Sequence, residues 1–310
     1  MPALDLHRGE QGSRAAPSVV ALITAGLLAV LAALCNACSS VLQRRAARSV
    51  SPDLGLRLGL IWALIGDPLW RWGIVALIGG FAFQAAALSR GGIALVQPAL
   101  VIELPFTMII MSRAFGIFLD KRSWLAIGAL SAGLTMFLAA AVPGPGRWSP
   151  DMLAWIVAAV VTLATIAVLV AVGALTSGPM RSATLGVAAG IGFAFTATLI
   201  KKCTTLLAED PGALPTSWPL YAMVAAGLGS LFLLQNALHS GSLVVAQPAL
   251  TISDPIAGIL YGAMMFGEPI RTGPWLVFEV AGAGLLVYGV VVLARSPLIE
   301  APSVPPSARK

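Results

Sequence analysis

The chain has 310 residues, 58% of them hydrophobic and only 10% charged, with a formal net charge of +6. Ordinary soluble domains carry roughly 25% charged residues, so this chain cannot coat a globule with polar groups. Its apolar runs recur along almost the whole length, and each is long enough to cross a hydrocarbon core about 30 Å thick as a helix. That excludes a soluble catalytic domain, and the absence of barrel-type alternation excludes a β-barrel. The basic residues sit scattered at the ends of apolar runs, which argues against a nucleic-acid surface and for topology signals and lipid-headgroup contacts.

Taken in chain order, residues 1–17 form a polar tail. Residues 18–42 are too long for a signal-peptide core and lead into no small-x-small cleavage pattern, so they read as a retained first span. Cys35 and Cys38 within it read as packing residues, since no histidine lies near to complete a metal site. Residues 55–66 are too short to cross and hold Arg57, so they are expected in the interface. Further spans are predicted near 72–90, 92–118, 122–142, 153–175, 181–203, 217–238, 242–267 and 273–294. The fold class is therefore an all-α polytopic bundle of nine helices, with ten as the alternative count.

With nine spans one face collects Arg44, Arg45, Arg48, Arg57, Arg71, Lys121, Arg122, Arg181 and Arg295. The other holds Arg8, Arg14, Arg90, Arg147, Lys201, Lys202 and Arg271. The bias favours a cytoplasmic carboxyl terminus and an external amino terminus in the cytoplasmic membrane.

An internal repeat runs through the chain. Ala87-Leu88, Gly91, Gln97-Pro98-Ala99-Leu100 and Pro105 return 150 positions later as Ala237-Leu238, Gly241, Gln247-Pro248-Ala249-Leu250 and Pro255. Trp124 and Gly133-Leu134 match Trp275 and Gly284-Leu285 one step off, and SVLQRRA at 40–46 has a looser partner in ATLIKKC at 197–203. This divides the chain into a first transmembrane repeat at 18–142, a linker at 143–180 carrying an extra span, a second repeat at 181–295 and a disordered tail at 296–310. An odd number of spans separates the copies, so they run in opposite senses. Inverted repeats suit a carrier, because exchanging the conformations of the halves turns one facing state into the other.

Two acids lie mid-span, Glu103 and Asp254. An ionised carboxylate at the bilayer centre costs about 2.5–3.5 kcal/mol on insertion scales, so both are expected to face the protein interior or a wet cavity. Pro98, Pro105, Pro248 and Pro255 lack N–H groups and should break helical hydrogen bonds, freeing the carbonyls of Ala94, Val101, Val244 and Thr251. With Gln97, Gln247 and Gln84 these groups form a candidate cation or substrate site. Glu279 and Asn236 are candidates for a supporting or proton-relay role. Asn36, Gln84, Gln235 and Asn236 read as interhelical hydrogen-bonding residues, and Arg113 as a side chain snorkelling to the cytoplasmic face. Gly186/Gly190 and Gly258/Gly262 read as close helix contacts, while Glu268 and Asp120 at span ends are expected to be solvated.

The run ISDPIAGILYGAMMFGEPI at 252–270 resembles the repeat signature of EamA-type domains in the drug/metabolite transporter superfamily, where an acid-proline pair opens a span that closes on Gly-Glu. The first copy, IELPFTMIIMSRAFGIFLDK, resembles it with Leu104 inserted and Leu119-Asp120 in place of Gly-Glu. DPLWRWG at 67–73, with Gln84 and VQPAL after it, is similar to the NIPA-type magnesium transporters, which have Pro-Leu-Gly-Ala-Leu where this chain has Pro98-Ala99-Leu100 followed by Glu103. The resemblance implies a secondary transporter working by alternating access, coupled to protons through Glu103 and Asp254. The alternatives are a Mg²⁺ uniporter, with the same two acids as metal ligands, and a membrane scaffold that moves nothing. No enzyme arrangement is present: His7 and His239 stand alone, without a nucleophile or phosphate-cradling loop. No catalytic residue and no cofactor are expected. The expected partners are a small solute or cation and the lipid bilayer, with no nucleic acid, and a homodimer is left open.

Overall fold

A computed structural model describes residues 19–49, 66–115, 119–141, 144, 146, 149–240, 243–269, 271 and 273–294. The expected tails at 1–17 and 296–310, and the interfacial segment at 55–66 apart from Gly66, lie outside the described residues. The described chain forms ten α-helices. They are α1 (Val19–Ser49), α2 (Pro68–Arg90), α3 (Ile93–Leu100), α4 (Glu103–Phe115), α5 (Lys121–Ala141), α6 (Met152–Leu175), α7 (Gly178–Glu209), α8 (Trp218–Ser240), α9 (Leu243–Phe266) and α10 (Leu276–Ala294). The helices α3 and α4 share one span, and among the described residues nine segments are long and apolar enough to cross a membrane. The protein is an all-α polytopic membrane protein. The predicted span centres hold, and the main differences in extent are at α1 and α7, which run on to Ser49 and Glu209.

Local chemistry starts the helices where they start. Asp67 precedes Pro68, whose missing N–H is no loss at a first helical turn, and its carboxylate accepts from the N–H of Leu69 at 2.7 Å. Asp151 does the same for α6 through Ala154 N–H at 2.8 Å. Asp120 accepts from Ser123 N–H at 2.9 Å at the head of α5. It is exposed, as expected, and the Ser123 hydrogen bonds hold its carboxyl below the usual carboxylate range.

The packing follows the internal repeat. Helix α1 lies along α2 as α7 lies along α8, and α1 meets α3 and α4 as α7 meets α9. Two further contacts join corresponding elements of the two copies, α3 with α9 and α5 with α10. The extra helix α6 packs chiefly on α7, and Trp155 stacks edge-on against Trp218 and Phe266 at 5.4 and 6.2 Å between ring centres.

Glycines set the closeness of these contacts. A methyl group on Gly133 of α5 would stand 2.7 Å from the Gly282 carbonyl oxygen of α10. One on Gly186 of α7 would stand 2.8 Å from the Ala246 carbonyl of α9, and one on Gly190 would crowd Ser253 and the Leu250 carbonyl. The two predicted small-residue pairs are thus close contacts, as small residues at membrane helix interfaces permit.

One feature breaks the correspondence between the copies. Helix α3 ends at Leu100, Val101 and Ile102 turn, and α4 restarts at Glu103, whereas α9 runs unbroken through Pro248 and Pro255. The turn is closed by tight hydrogen bonds, Val101 N–H to Pro98 O at 3.2 Å and Leu104 N–H to Val101 O at 3.2 Å. The Val101 carbonyl is therefore not free, contrary to the sequence expectation: loss of the Pro105 donor is met by a shorter-range bond from Leu104.

Candidate functional site

The break brings Glu103 to the first turn of α4, and the contact between α3 and α9 carries the first repeat to the second. Gly258 of α9 makes that contact possible, since a methyl group there would stand 2.7 Å from Gln97 Cγ. Gln97 lies across this gap and its Nε2 donates to Asp254 Oδ1 at 2.8 Å, one helical turn from Gly258. A carboxylate accepts and does not donate, so it is the amide nitrogen that faces Asp254 and the amide oxygen that turns the other way. Gln97 is 2% exposed, and its Oε1 is buried with no hydrogen-bond partner among the described residues. A buried acceptor left without a donor costs on the order of 1–3 kcal/mol, which a bound proton donor or cation would relieve.

Glu103 is met by Asn36 of α1, whose side chain lies within hydrogen-bonding range of its carboxyl. Asn36 itself fits because Gly80 of α2 has no side chain, and a methyl group there would collide with Asn36 Oδ1. Glu103 and Asp254 lie close enough to interact electrostatically. Both are surrounded by protein on nearly every side, although neither residue is fully buried. A pair of acids here presents up to two negative charges, one orphaned amide oxygen and one asparagine, a set that suits protons or a cation.

The other sequence candidates fall away from this pair. No hydrogen bond joins Gln247 or Gln84 to either acid among the described residues, and both are half-buried. Asn236 donates to the Phe232 carbonyl of its own helix at 2.8 Å, a local bond rather than an interhelical one. Glu279 is buried in α10, with Oε1 unpartnered among the described residues. Arg113 is exposed, as snorkelling requires. Cys35, Cys38 and Cys203 are free thiols, and among the described residues no group of three or more His, Cys, Asp or Glu could hold a metal ion.

Glu268 corrects the expectation most sharply. It is 3% exposed, not solvated, because the chain turns back after α9 and drives its side chain between the repeats. Glu268 Oε1 and Oε2 accept from the N–H groups of Ile93 and Ala94, each at 2.8 Å, so this carboxylate caps α3 from the opposite copy. Lys201, counted above as a loop charge, lies inside α7 and donates to Glu268 Oε1 at 2.5 Å, with its ammonium 4.6 Å from the Phe266 ring centre. Gly262 leaves the space that Glu268 occupies. The only sequence trace of this arrangement was the Gly-Glu at the end of the span, and nothing there indicates a partner 175 positions away.

Comparison with known proteins adds little chemistry. The chain is similar to an uncharacterised protein of Corynebacterium glutamicum, 27% identical over 277 residues that cover 87% of this chain and 95% of the relative. No family model matches the sequence, and no solved structure matches the fold.

Proposed function

We propose that the protein is a secondary transporter of the drug/metabolite superfamily type, moving a small solute or cation by alternating access with Glu103 and Asp254 as its central proton- or cation-binding pair. The observation that carries this reading is the bridge from Gln97 in one copy to Asp254 in the other, with Glu103 beside it and a buried amide oxygen left without a donor. A site built across two oppositely threaded repeats is released whenever the repeats rock apart, which is the geometry a carrier needs. Under proton coupling, protons and substrate compete for the same carboxylates.

Flux in proteoliposomes under imposed pH and Mg²⁺ gradients tests this, with internal pH and Mg²⁺ indicators and a panel of small organic cations as probes. The parent is expected to move one of these probes with a coupled proton flux. Glu103→Gln and Asp254→Asn, incorporated to equal levels, are each expected to lower that flux at least tenfold. Mg²⁺ uptake by the parent that ignores pH would replace proton coupling with uniport. Absence of flux in the parent and the double variant alike would leave only the scaffold reading, whereas equal measurable flux in the two would end the role of these acids.

A further inference from the structure

A second feature lies away from the paired acids, at the membrane face where α2 ends and α9 closes. A cavity of about 280 Å³ opens there, between the end of α2, the carboxyl-terminal third of α7 and the segment that precedes α6. Three cationic side chains line it, Arg90, Lys201 and Lys202. Glu268 neutralises Lys201 from below, and no ion pair engages Arg90 or Lys202 among the described residues.

The polar atoms around the cavity are unequal in what they offer. The Ser89 hydroxyl donates to the Ala86 carbonyl at 2.9 Å, and the hydroxyls of Thr204 and Thr205 donate to the Lys201 carbonyl at 2.8 and 3.0 Å. These hydroxyls have spent their protons locally. Arg90 uses one N–H, to the Ala86 carbonyl at 3.3 Å, which leaves the rest of its guanidinium and the Lys202 ammonium as charged donors, beside the neutral Ser149 hydroxyl. A cavity whose free charged donors are cationic N–H groups favours a group with several negative oxygens, because charge-assisted bonds to such a group are the strongest available. Its volume falls just below the usual small-ligand range of about 300–1,000 Å³, enough for one phosphate-sized group with its immediate substituent.

We propose that this cavity binds a phosphate-type oxyanion through Arg90 and Lys202, over a floor held by the Lys201–Glu268 pair. The anion has two chemical sources, the headgroup of an anionic lipid and a free phosphate, and both present the same oxygens. Basic clefts between transmembrane helices hold anionic headgroups by this chemistry.

Lipid retention by the purified full chain tests the first source. The protein is incubated with mixed micelles of phosphatidylglycerol and phosphatidylcholine, and retained lipid is counted by native mass spectrometry. Each basic side chain near an anionic headgroup contributes a factor of about five in binding. Arg90→Gln and Lys202→Gln are each expected to lower the phosphatidylglycerol preference about fivefold and the double variant about 25-fold, while Arg113→Gln, an exposed charge elsewhere, leaves it unchanged. The second source is tested by thermal unfolding in detergent with inorganic phosphate against chloride at matched ionic strength, where a ligand of the native state raises the midpoint. A preference for phosphatidylglycerol lost in the two variants identifies the lipid; stabilisation by phosphate, lost in the same variants, identifies the free anion. A parent that shows neither effect, or variants that behave like Arg113→Gln, would overturn the proposal. The single variants are read alone if the double variant does not fold.

Discussion

Gln97 Nε2 and Asp254 Oδ1, 157 positions apart in sequence, stand 2.8 Å from each other across the boundary between the two internal copies. A hydrogen bond to a charged group is worth about 1.5–3 kcal/mol, so Gln97→Ala is expected to weaken substrate handling roughly 10- to 100-fold. The same change made on an Asp254→Asn background should cost much less, because the two residues act as one unit. A double-mutant cycle on proteoliposome flux measures this, and additive losses would show that the bond carries no function.

Glu268 and Lys201 predict a stability effect instead. Removing one member of a buried ion pair leaves an uncompensated charge and costs about 3–5 kcal/mol. Glu268→Ala is expected to fall in that range by chemical unfolding in detergent, since it also strands two N–H groups of α3. Glu268→Gln combined with Lys201→Met removes both charges and keeps one acceptor for α3. It should recover more than half of the loss.

Two glycines of the same helix give opposite expectations. An added methyl group at Gly133 meets the Gly282 backbone at 2.7 Å, whereas at Gly128 it meets nothing within 4 Å. Gly133→Ala is expected to destabilise by about 1–3 kcal/mol through overpacking. Gly128→Ala is expected to gain up to about 1 kcal/mol from helix propensity. Thermal midpoints of the two variants, measured side by side, check the sign of each.

Asp120 links stability to pH at the head of α5. Its carboxyl is held below the ordinary carboxylate range by the Ser123 hydrogen bonds, so the folded state favours the ionised form. The contribution is present above the unfolded value near pH 4 and is lost as pH falls through the folded value. Asp120→Ala should lower the thermal midpoint at neutral pH and make that midpoint less sensitive to acid below about pH 4.

The spans were legible because each apolar run had to satisfy its own backbone within the bilayer, which ties length to structure. The acids Glu103 and Asp254 stood out for a related reason: a charge in hydrocarbon is conspicuous against its neighbours. Glu268 did not stand out, since an acid beside Gly267 and Pro269 at the end of a run looks like any solvated turn. Its partners lie on α3 and α7, and no periodicity within one segment encodes a contact between segments. The interruption at Val101 was also unreadable from the prolines alone, because α9 carries two prolines at the same spacing and stays whole.

That inequality between α3–α4 and α9 has a consequence for energetics. A jointed rod and a continuous rod resist bending differently, so exchanging their shapes does not return a molecule of equal energy. Under the alternating access proposed above, the ligand-free protein is therefore expected to rest predominantly with one mouth open, leaving one aqueous side of the membrane as the default port of entry.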